Sequence, residues 1–224
     1  MREVRGLDPA TIYEWLTQVH YAKRIPPISH AFGLYIDGEL VGVVTYGVPS
    51  SSTLRAGIAG ERHIDIVLEL NRLVFKRDIP NGPSELVGKS LKTLPKPCIV
   101  VSYADTSQGH IGYVYQACNF IYTGLSAKRT DWKVKGLEHL HGQTIADMSR
   151  GCEGSRAEFM RQKFGNDFYL EDRPRKHRYI YICASKTQKK HILQDLKYKQ
   201  EPYPKGETQR YQITHKPHYQ GILL

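Results

Sequence analysis

The spacing of apolar residues along this chain switches between a period of two and a period near four, and each switch marks an element. Ile12, Trp15, Leu16 and Val19 fall on one face of a helix predicted over residues 9–19, with Asp8 as N-cap and Pro9 in the first turn. The run AFGLYIDGELVGVVTYG predicts two strands joined at Asp37-Gly38, a dipeptide suited to a tight hairpin. Residues 49–60, rich in Ser and Gly, read as an exposed loop, and the later half of residues 63–75 reads as a central strand. Pro80, Asn81, Gly82 and Pro83 break the chain before Leu86, Val87, Leu91 and Leu94, whose spacing predicts a helix over residues 84–94. Pro95 and Pro97 end that helix, and a strand begins near Cys98. Strand, crossover helix and strand make a right-handed βαβ unit with parallel strands. Downstream, periodicity weakens over residues 129–154 into an expected loop. A short helix follows over residues 156–164, then a strand over 178–184 and a helix over 189–196. The fold class is mixed α/β.

Charge adds direction to this picture. The formal net charge is +10, and from Glu171 onward twelve Lys or Arg face five Asp or Glu, so the excess lies at the C-terminal end. Such asymmetry fits a polyanionic partner, because neutralising phosphates releases counterions. The four cysteines, Cys98, Cys118, Cys152 and Cys183, form no Cys-x-x-Cys pair, which argues against a zinc ribbon and a disulfide scaffold and fits a reducing compartment. No apolar run is long enough to cross a bilayer, so the expected location is cytoplasmic. His139 and His141 alternate, but no carboxylate or cysteine pattern around them specifies a metal, so none is assigned and the part played by metals stays open.

The most informative stretch, IVVSYADTSQGHIGYVYQACNFIYTG, spans residues 99–124. It reads as a buried strand, a polar turn, a short helix and a second strand reaching Gly124. Asp105 lies just beyond the carboxyl end of the first strand, where open α/β sheets keep ligands. Tyr115 and the following run to Phe120 resemble the end of the GNAT acyltransferase fold, in which a helix tyrosine precedes Gly-Phe. Asn119 stands in place of that glycine, and Asn tolerates positive φ better than other side chains. Together with the later KHRYIY and PYPKG runs, the stretch resembles the bacteriophage Mom family of DNA adenine-modification proteins.

That resemblance implies a GNAT-like, mostly antiparallel central sheet with flanking helices and a basic C-terminal extension. Residues 1–170 would form the catalytic domain. Residues 171–224 would pack on the same domain and contact DNA. It also implies transfer of an acetamide-type (carbamoylmethyl) group to adenine N6 in double-stranded DNA, shielding phage DNA from restriction, with acetyl-CoA or a related acyl-CoA as donor. The family's pyrophosphate loop corresponds to residues 77–82 here, giving Val74, Phe75, Lys76, Arg77, Asn81, Gly82 and Asn119 as candidate cofactor residues. Pro80 occupies the loop's first glycine position, and Pro83 removes a further donor.

Adenine N6 is a poor nucleophile, so the reaction needs a base, an acid and oxyanion support. Asp105 is the first candidate base, and an Asx-turn or N-cap role competes with it. Tyr115 is the candidate general acid, with plain aromatic packing as its alternative. Glu69 on the central strand is a rival base. Ser102 is a further candidate catalytic hydroxyl and Tyr103 a candidate substrate contact, although each could simply satisfy backbone groups at the strand end. His20, Tyr21, His30 and His110 are candidates to hold the acceptor. Extruding a base requires aromatic replacement of its stacking, for which Trp132, Tyr122 and Tyr179 are candidates. Arg175, Lys176, Arg178 and Lys205 are candidate phosphate contacts, although the arginines could equally snorkel at the sheet surface. Two other classes fit the pattern: an N-acetyltransferase for a small amine or protein, and a catalytically silent DNA-binding protein.

Overall fold

The computed structural model describes residues 1–19, 25–140 and 142–206. Among them the strands are β1 (Arg2–Gly6), β2 (His30–Ile36), β3 (Glu39–Gly47), β4 (Val67–Phe75), β5 (Cys98–Asp105), β6 (Ile121–Leu125), β7 (Arg129–Val134), β8 (Phe168–Arg173) and β9 (Lys176–Cys183). The α-helices are α1 (Ser52–Ala59), α2 (Gly82–Thr93), α3 (Tyr113–Ala117), α4 (Gly142–Asp147), α5 (Arg156–Phe164) and α6 (Lys186–Asp195). The chain divides into two compact units, one of Met1–Leu125 with Lys176–Leu224 and one of Ser126–Arg175. The second is therefore inserted in the chain between β6 and β9. Residues 170 and 171, where the charge distribution divides the sequence, are neighbours inside β8, so division by charge and division by packing do not coincide.

The first unit is built on a seven-stranded sheet in the order β1-β2-β3-β4-β5-β9-β6. The β4–β5 pair is parallel and the remaining neighbours are antiparallel, as expected for the mixed, mostly antiparallel class. The β2–β3 hairpin turns on Asp37 (φ 50°) and Gly38 (φ 88°), the two positive φ values of a type I′ turn, which follows the sheet's own twist. Helices α2 and α3 cover one face, burying Leu86, Val87 and Leu91 against Leu70, Val100 and Phe120. Helices α1 and α6 cover the other, where Ile58, Ala59 and Ile192 meet Val67, Ile99, Val101 and Ile180. Further along that second face, Ile12, Trp15 and Leu16 pack on Ala31, Val43 and Val74.

Several expectations need correction. The helix expected over residues 9–19 is a 3₁₀ turn, Pro9–Ile12, followed by a π turn, Trp15–Val19. Asp8 caps it by accepting the Ala10 N–H, while Val19 is exposed. The loop expected over residues 49–60 contains α1, because Ser51 caps its N-terminus and Gly60 (φ 88°) ends it. The loop expected over residues 129–154 contains β7 and α4. In β7 the polar sequence RTDWKV hides the alternation, and only Val134 is buried. The strand expected over residues 178–184 begins earlier, at Lys176, and α6 begins earlier because Ser185 and Gln188 form a capping box.

The second unit has its own small core of Val134, Ile145 and Met160, with Trp132 edge-on to Phe168 at 5.2 Å. Residues 197–206 form a strap on the first unit. Lys197 N–H bonds the Ile58 carbonyl at 2.8 Å on the α1 face, and Glu201 N–H bonds the Tyr122 carbonyl of β6 at 2.9 Å. Beyond it, the Tyr203 hydroxyl donates to the Phe120 carbonyl at 2.6 Å. The strap thus wraps the sheet's β6 edge from one face to the other and covers an edge that would otherwise be open to pairing. Among the described residues no helix is long and apolar enough to cross a membrane.

Candidate active site where two strands part

β4 and β5 pair only from Val67 opposite Ile99 to Leu70 opposite Ser102. Beyond that level β4 follows β3 to Phe75, while β5 follows β9 to the Asp105–Lys176 pair. Asn71 is the extra residue where the β3–β4 register shifts between Thr45 and Tyr46, and a bulge at that position turns β4 aside. Its side chain is held on both ends. Thr45 Oγ1 donates to its oxygen at 2.6 Å, and its nitrogen donates to the Pro27 carbonyl at 2.8 Å. At the branching level the Ser102 hydroxyl donates to the Leu70 carbonyl at 3.0 Å, joining the strands just before they separate. Ser102 is fully buried in that role, which corrects its assignment as a catalytic hydroxyl. Past this point the β4–β5 ladder ends, and the Arg72 guanidinium covers the Asn71 carbonyl at 2.6 Å.

Alternation sends the chemistry of this region to two faces. Glu69 shares a face with Val67 and with its partner Val101, both in the α1 and α6 core, and along β5 the same face carries Tyr103 and Asp105. The Glu69 carboxyl is pushed above its ordinary range by burial, against the opposing pull of Arg72 and Lys176. Among the described residues no donor hydrogen-bonds that carboxylate. Asp105 stands four residues beyond Val101, roughly 13 Å along the strand. Its oxygens are occupied: Ser107 donates its N–H at 3.0 Å and its hydroxyl at 2.7 Å to one, and Lys176 Nζ lies 2.9 Å from the other. Burial alone would raise the Asp105 pKa, but the Ser107 and Lys176 contacts outweigh it and the carboxyl falls below its ordinary value. Asp105 is thus an N-cap and ion-pair residue in this conformation. Beside it Tyr103 faces Arg178 across the β5–β9 ladder and packs at the margin of the second core.

The opposite face carries rings. Tyr179, in register with Ser102 and with Tyr122, lies 5.2 Å from Tyr115 and 5.1 Å from Tyr122. Tyr115 also lies 5.4 Å from Phe120. The Tyr179 hydroxyl donates to the Ile111 carbonyl, and the Gln116 amide donates to both groups at 3.1 Å. Burial pushes the Tyr179 pKa up to about 12. Tyr122 and His177 Nδ1 share a hydrogen bond of 2.8 Å, and burial lowers the His177 pKa. His177, absent from the sequence candidates, is set among these rings by its register with Ala104 and Leu125. The only sequence signal for it was its place in KHRYIY. Asp105 and Tyr115 therefore belong to opposite faces of the sheet.

The cofactor candidates are only partly brought together. Val74 and Phe75 are buried in two different cores. Lys76 lies 4.4 Å above the Trp15 ring, and Arg77 pairs with Glu39 at 2.8 Å. Asn81 adopts φ 59° and precedes α2 without a side-chain cap bond. Gly82 N–H is taken by the Ile79 carbonyl at 2.9 Å, Pro83 has no N–H, and a Cβ on Gly82 would come within 2.8 Å of Ile79. Packing alone therefore demands that glycine. Asn119 takes φ 58°, as its place in the glycine position requires.

Of the acceptor candidates, His20 and Tyr21 lie outside the described residues. His30 opens β2 opposite Tyr46, and His110 donates its backbone N–H to the Asp105 carbonyl at 3.2 Å. Trp132 belongs to the core of the second unit, where Arg175 Nε bonds the Ser126 carbonyl at 2.6 Å. Arg178 is buried: its guanidinium bonds Thr123 Oγ1 at 2.9 Å and the Thr123 carbonyl at 2.7 Å, and lies 3.3 Å from the Tyr198 ring centre. These contacts hold the strap to β6, so Arg178 does not offer its charge to a phosphate here. Lys205 is exposed. Among the described residues no three His, Cys, Asp or Glu side chains gather as a metal site.

A family model described as the Mom protein family matches residues 3–205. The chain is 29% identical over 212 residues to the methylcarbamoylase Mom of Escherichia phage Mu, covering 90% of this chain and 85% of that protein. Among solved structures, an N-acetyltransferase from Staphylococcus aureus aligns with TM-score 0.43 and 12% identity, over 82% of this chain and 99% of that one. A Bacillus subtilis acetyltransferase in complex with CoA aligns with TM-score 0.40 and 14% identity, over 81% of this chain and 97% of that one.

Proposed function

The chain belongs to the Mom protein family, and on that footing we propose that it modifies DNA, attaching an acetamide-type group to adenine N6 at the parting of β4 and β5. The observation that carries this reading is the half-buried carboxylate of Glu69, to which no described residue donates a hydrogen bond, one residue before the strands separate, with the Tyr115–Tyr179 shelf on the reverse face of the same level. An opening between strands lets two reactants approach from opposite faces and meet in the plane of the sheet. The phage Mu relative is a methylcarbamoylase, which supports the choice of reaction.

In this reading Glu69 takes the N6 proton as the new bond forms. Adenine N6 has its lone pair delocalised into the ring, so a base adjacent to it contributes about 10²–10⁴-fold. Burial suits Glu69 to that task by making its carboxylate more basic than one in water. Asp105 is passed over as the base because both of its oxygens already accept bonds. Tyr115 remains the candidate acid toward the leaving group.

An acyl-CoA donor is placed at the parting of the strands, where the β4–β5 ladder ends at Leu70 and Ser102. A diphosphate fits residues 76–84 less as a nest of amides than as a charged rim, with Lys76 and Arg77 beside the start of α2. When bound, such a donor supplies an activated carbonyl. The family product carries a nitrogen beyond the acetyl group, so acetyl transfer alone does not complete it. Domain roles follow the packing: catalysis in the first unit, with DNA contacts on its exposed basic residues.

Nucleoside mass spectrometry of DNA from expressing cells tests the reading. An adenine adduct should form with the unaltered chain and be lost in Glu69→Gln. Absence of any adduct, with turnover of a small amine instead, would favour an ordinary N-acyltransferase.

A further inference from the structure

An extruded adenine leaves a gap in the stack and unsatisfied π-faces beside it, so a protein that extrudes one needs an accessible ring. The sequence candidates do not provide it. Tyr122 and Tyr179 are buried, and Trp132 is edge-on to Phe168 in its own core. The large aromatic side chains that stand exposed among the described residues are Tyr13 and Tyr203.

From the placement of Tyr203 we propose that its ring is a stacking platform for one nucleobase of the DNA, with Lys205 contacting the phosphate of that nucleotide. This rests on the DNA-modifying reading above. A surface tyrosine ordinarily keeps its hydroxyl in water. Tyr203 does the reverse: its hydroxyl is tied to the Phe120 carbonyl at 2.6 Å while the residue as a whole stays 41% exposed, so a side chain pinned at its tip remains accessible. Pro202 and Pro204 flank it, fixing φ on both sides and holding Tyr203 itself out of the helical region, so little conformational freedom is lost when a base docks.

Its location matters as much as its rigidity. The ring lies 6.4 Å from Tyr179 at 38°, continuing the series Tyr115, Tyr179, Tyr203 outward from the shelf beside the strand opening. At Gly206 the strap that carries it lies against the turn after β5: a Cβ there would sit 3.0 Å from Ile111 and 3.7 Å from the Tyr113 hydroxyl. Lys205, two residues from the ring, is exposed, and no carboxylate among the described residues lies within ion-pair distance of it. An aromatic face with a cation beside it is the pairing that single-stranded nucleic acid recognises without regard to sequence.

Fluorescence anisotropy with a short single-stranded oligothymidylate tests the assignment on the full chain. Tyr203→Leu, which keeps apolar cover over the shelf, should weaken binding roughly 5- to 100-fold, whereas Tyr203→Phe should stay within about 3-fold of the unaltered chain. Lys205→Ala should lower the slope of log affinity against log salt by about one. A folded Tyr203→Leu that binds as tightly as the unaltered chain overturns the proposal. Failure of the unaltered chain to bind DNA at all overturns the parent reading instead. Photo-crosslinking with a 5-iodouracil oligonucleotide gives a second readout: a crosslink at Tyr203 supports the platform, and crosslinks only elsewhere reject it.

Discussion

The two faces of the sheet at the β4–β5 opening are built on opposite principles. On the face shared with α1 and α6, charged groups are separated and treated differently: Glu69 is half-buried and takes no hydrogen bond from a described residue, while Asp105 is ringed by Ser107 and Lys176. On the face shared with α2 and α3, rings touch one another, and the hydroxyls of Tyr179 and Tyr122 are given fixed partners. The comparison teaches that one face holds a poorly solvated charge, the proposed base, and the other stores rigidity in a satisfied network. A transferase needs both, a base ready to change state and a wall that does not move.

The largest effect that would break this comparison concerns the two carboxylates. Glu69→Gln should reduce adduct formation by about 10²–10⁴-fold, measured by nucleoside mass spectrometry under conditions limited by enzyme. Asp105→Asn should reduce it by less than about 10-fold, since the amide preserves the cap geometry. Equal losses, or a reversed order, would mean that the occupied carboxylate is the reactive one and that the two have been misassigned.

Next in size are the glycines that each surrounding requires. Gly112 has φ 84°, and a Cβ there would overlap the Tyr179 ring, so Gly112→Ala combines left-handed strain with displacement of the shelf. A cost of about 3 kcal/mol or more is expected from the two together. Gly136 in the second unit has φ 82° with nothing within 4 Å of the position, so Gly136→Ala should cost only the strain, about 1–2 kcal/mol. Urea unfolding of both variants measures the difference, and equal losses would show that the Tyr179 ring yields freely. Smaller again, Tyr179→Phe leaves the Ile111 carbonyl with the Gln116 amide alone and should cost about 1–2 kcal/mol by the same measurement.

How much of this was legible beforehand depends on whether a signal is local. The Asp37-Gly38 turn, the strand ending at Phe75, α2 and β5 were each readable, because turn chemistry and apolar period agree there. The α1 helix was missed because Ser51 and Gly60 serve as loop residues and as helix caps alike, and β1, β7 and β8 because strands rich in charge do not alternate visibly. At the site, Glu69, Asp105 and Tyr115 were all picked out, but their separation to two faces was not. That follows from β9 entering between β5 and β6 and from which helices cover which side, facts set by residues far away in sequence. Arg178 shows the same limit, since a basic residue in a basic stretch was read as a surface contact until Thr123 and Tyr198 enclosed it.

The smallest expected effect is the most diagnostic, because the two carboxylates on one face should answer pH with opposite sign. Asp105 has its pKa lowered on folding, so its contribution is fully present above the unfolded value and disappears as pH falls through the folded one. Glu69 has its pKa raised, so its contribution is fully present below the unfolded value and is lost as pH rises through the folded one. Lys176→Met should therefore destabilise by no more than about 1 kcal/mol near neutral pH, partly exposed as the pair is, with the deficit shrinking in acid. Glu69→Gln should instead be more stable than the unaltered chain near neutral pH, with that gain vanishing in acid, the cost in stability that a poorly solvated carboxylate imposes. Melting temperatures across an acid-to-neutral series decide it. If Glu69→Gln loses stability at neutral pH, the carboxylate is anchored by partners that give it a structural role, and the contrast between an open and an occupied acid on this face is false.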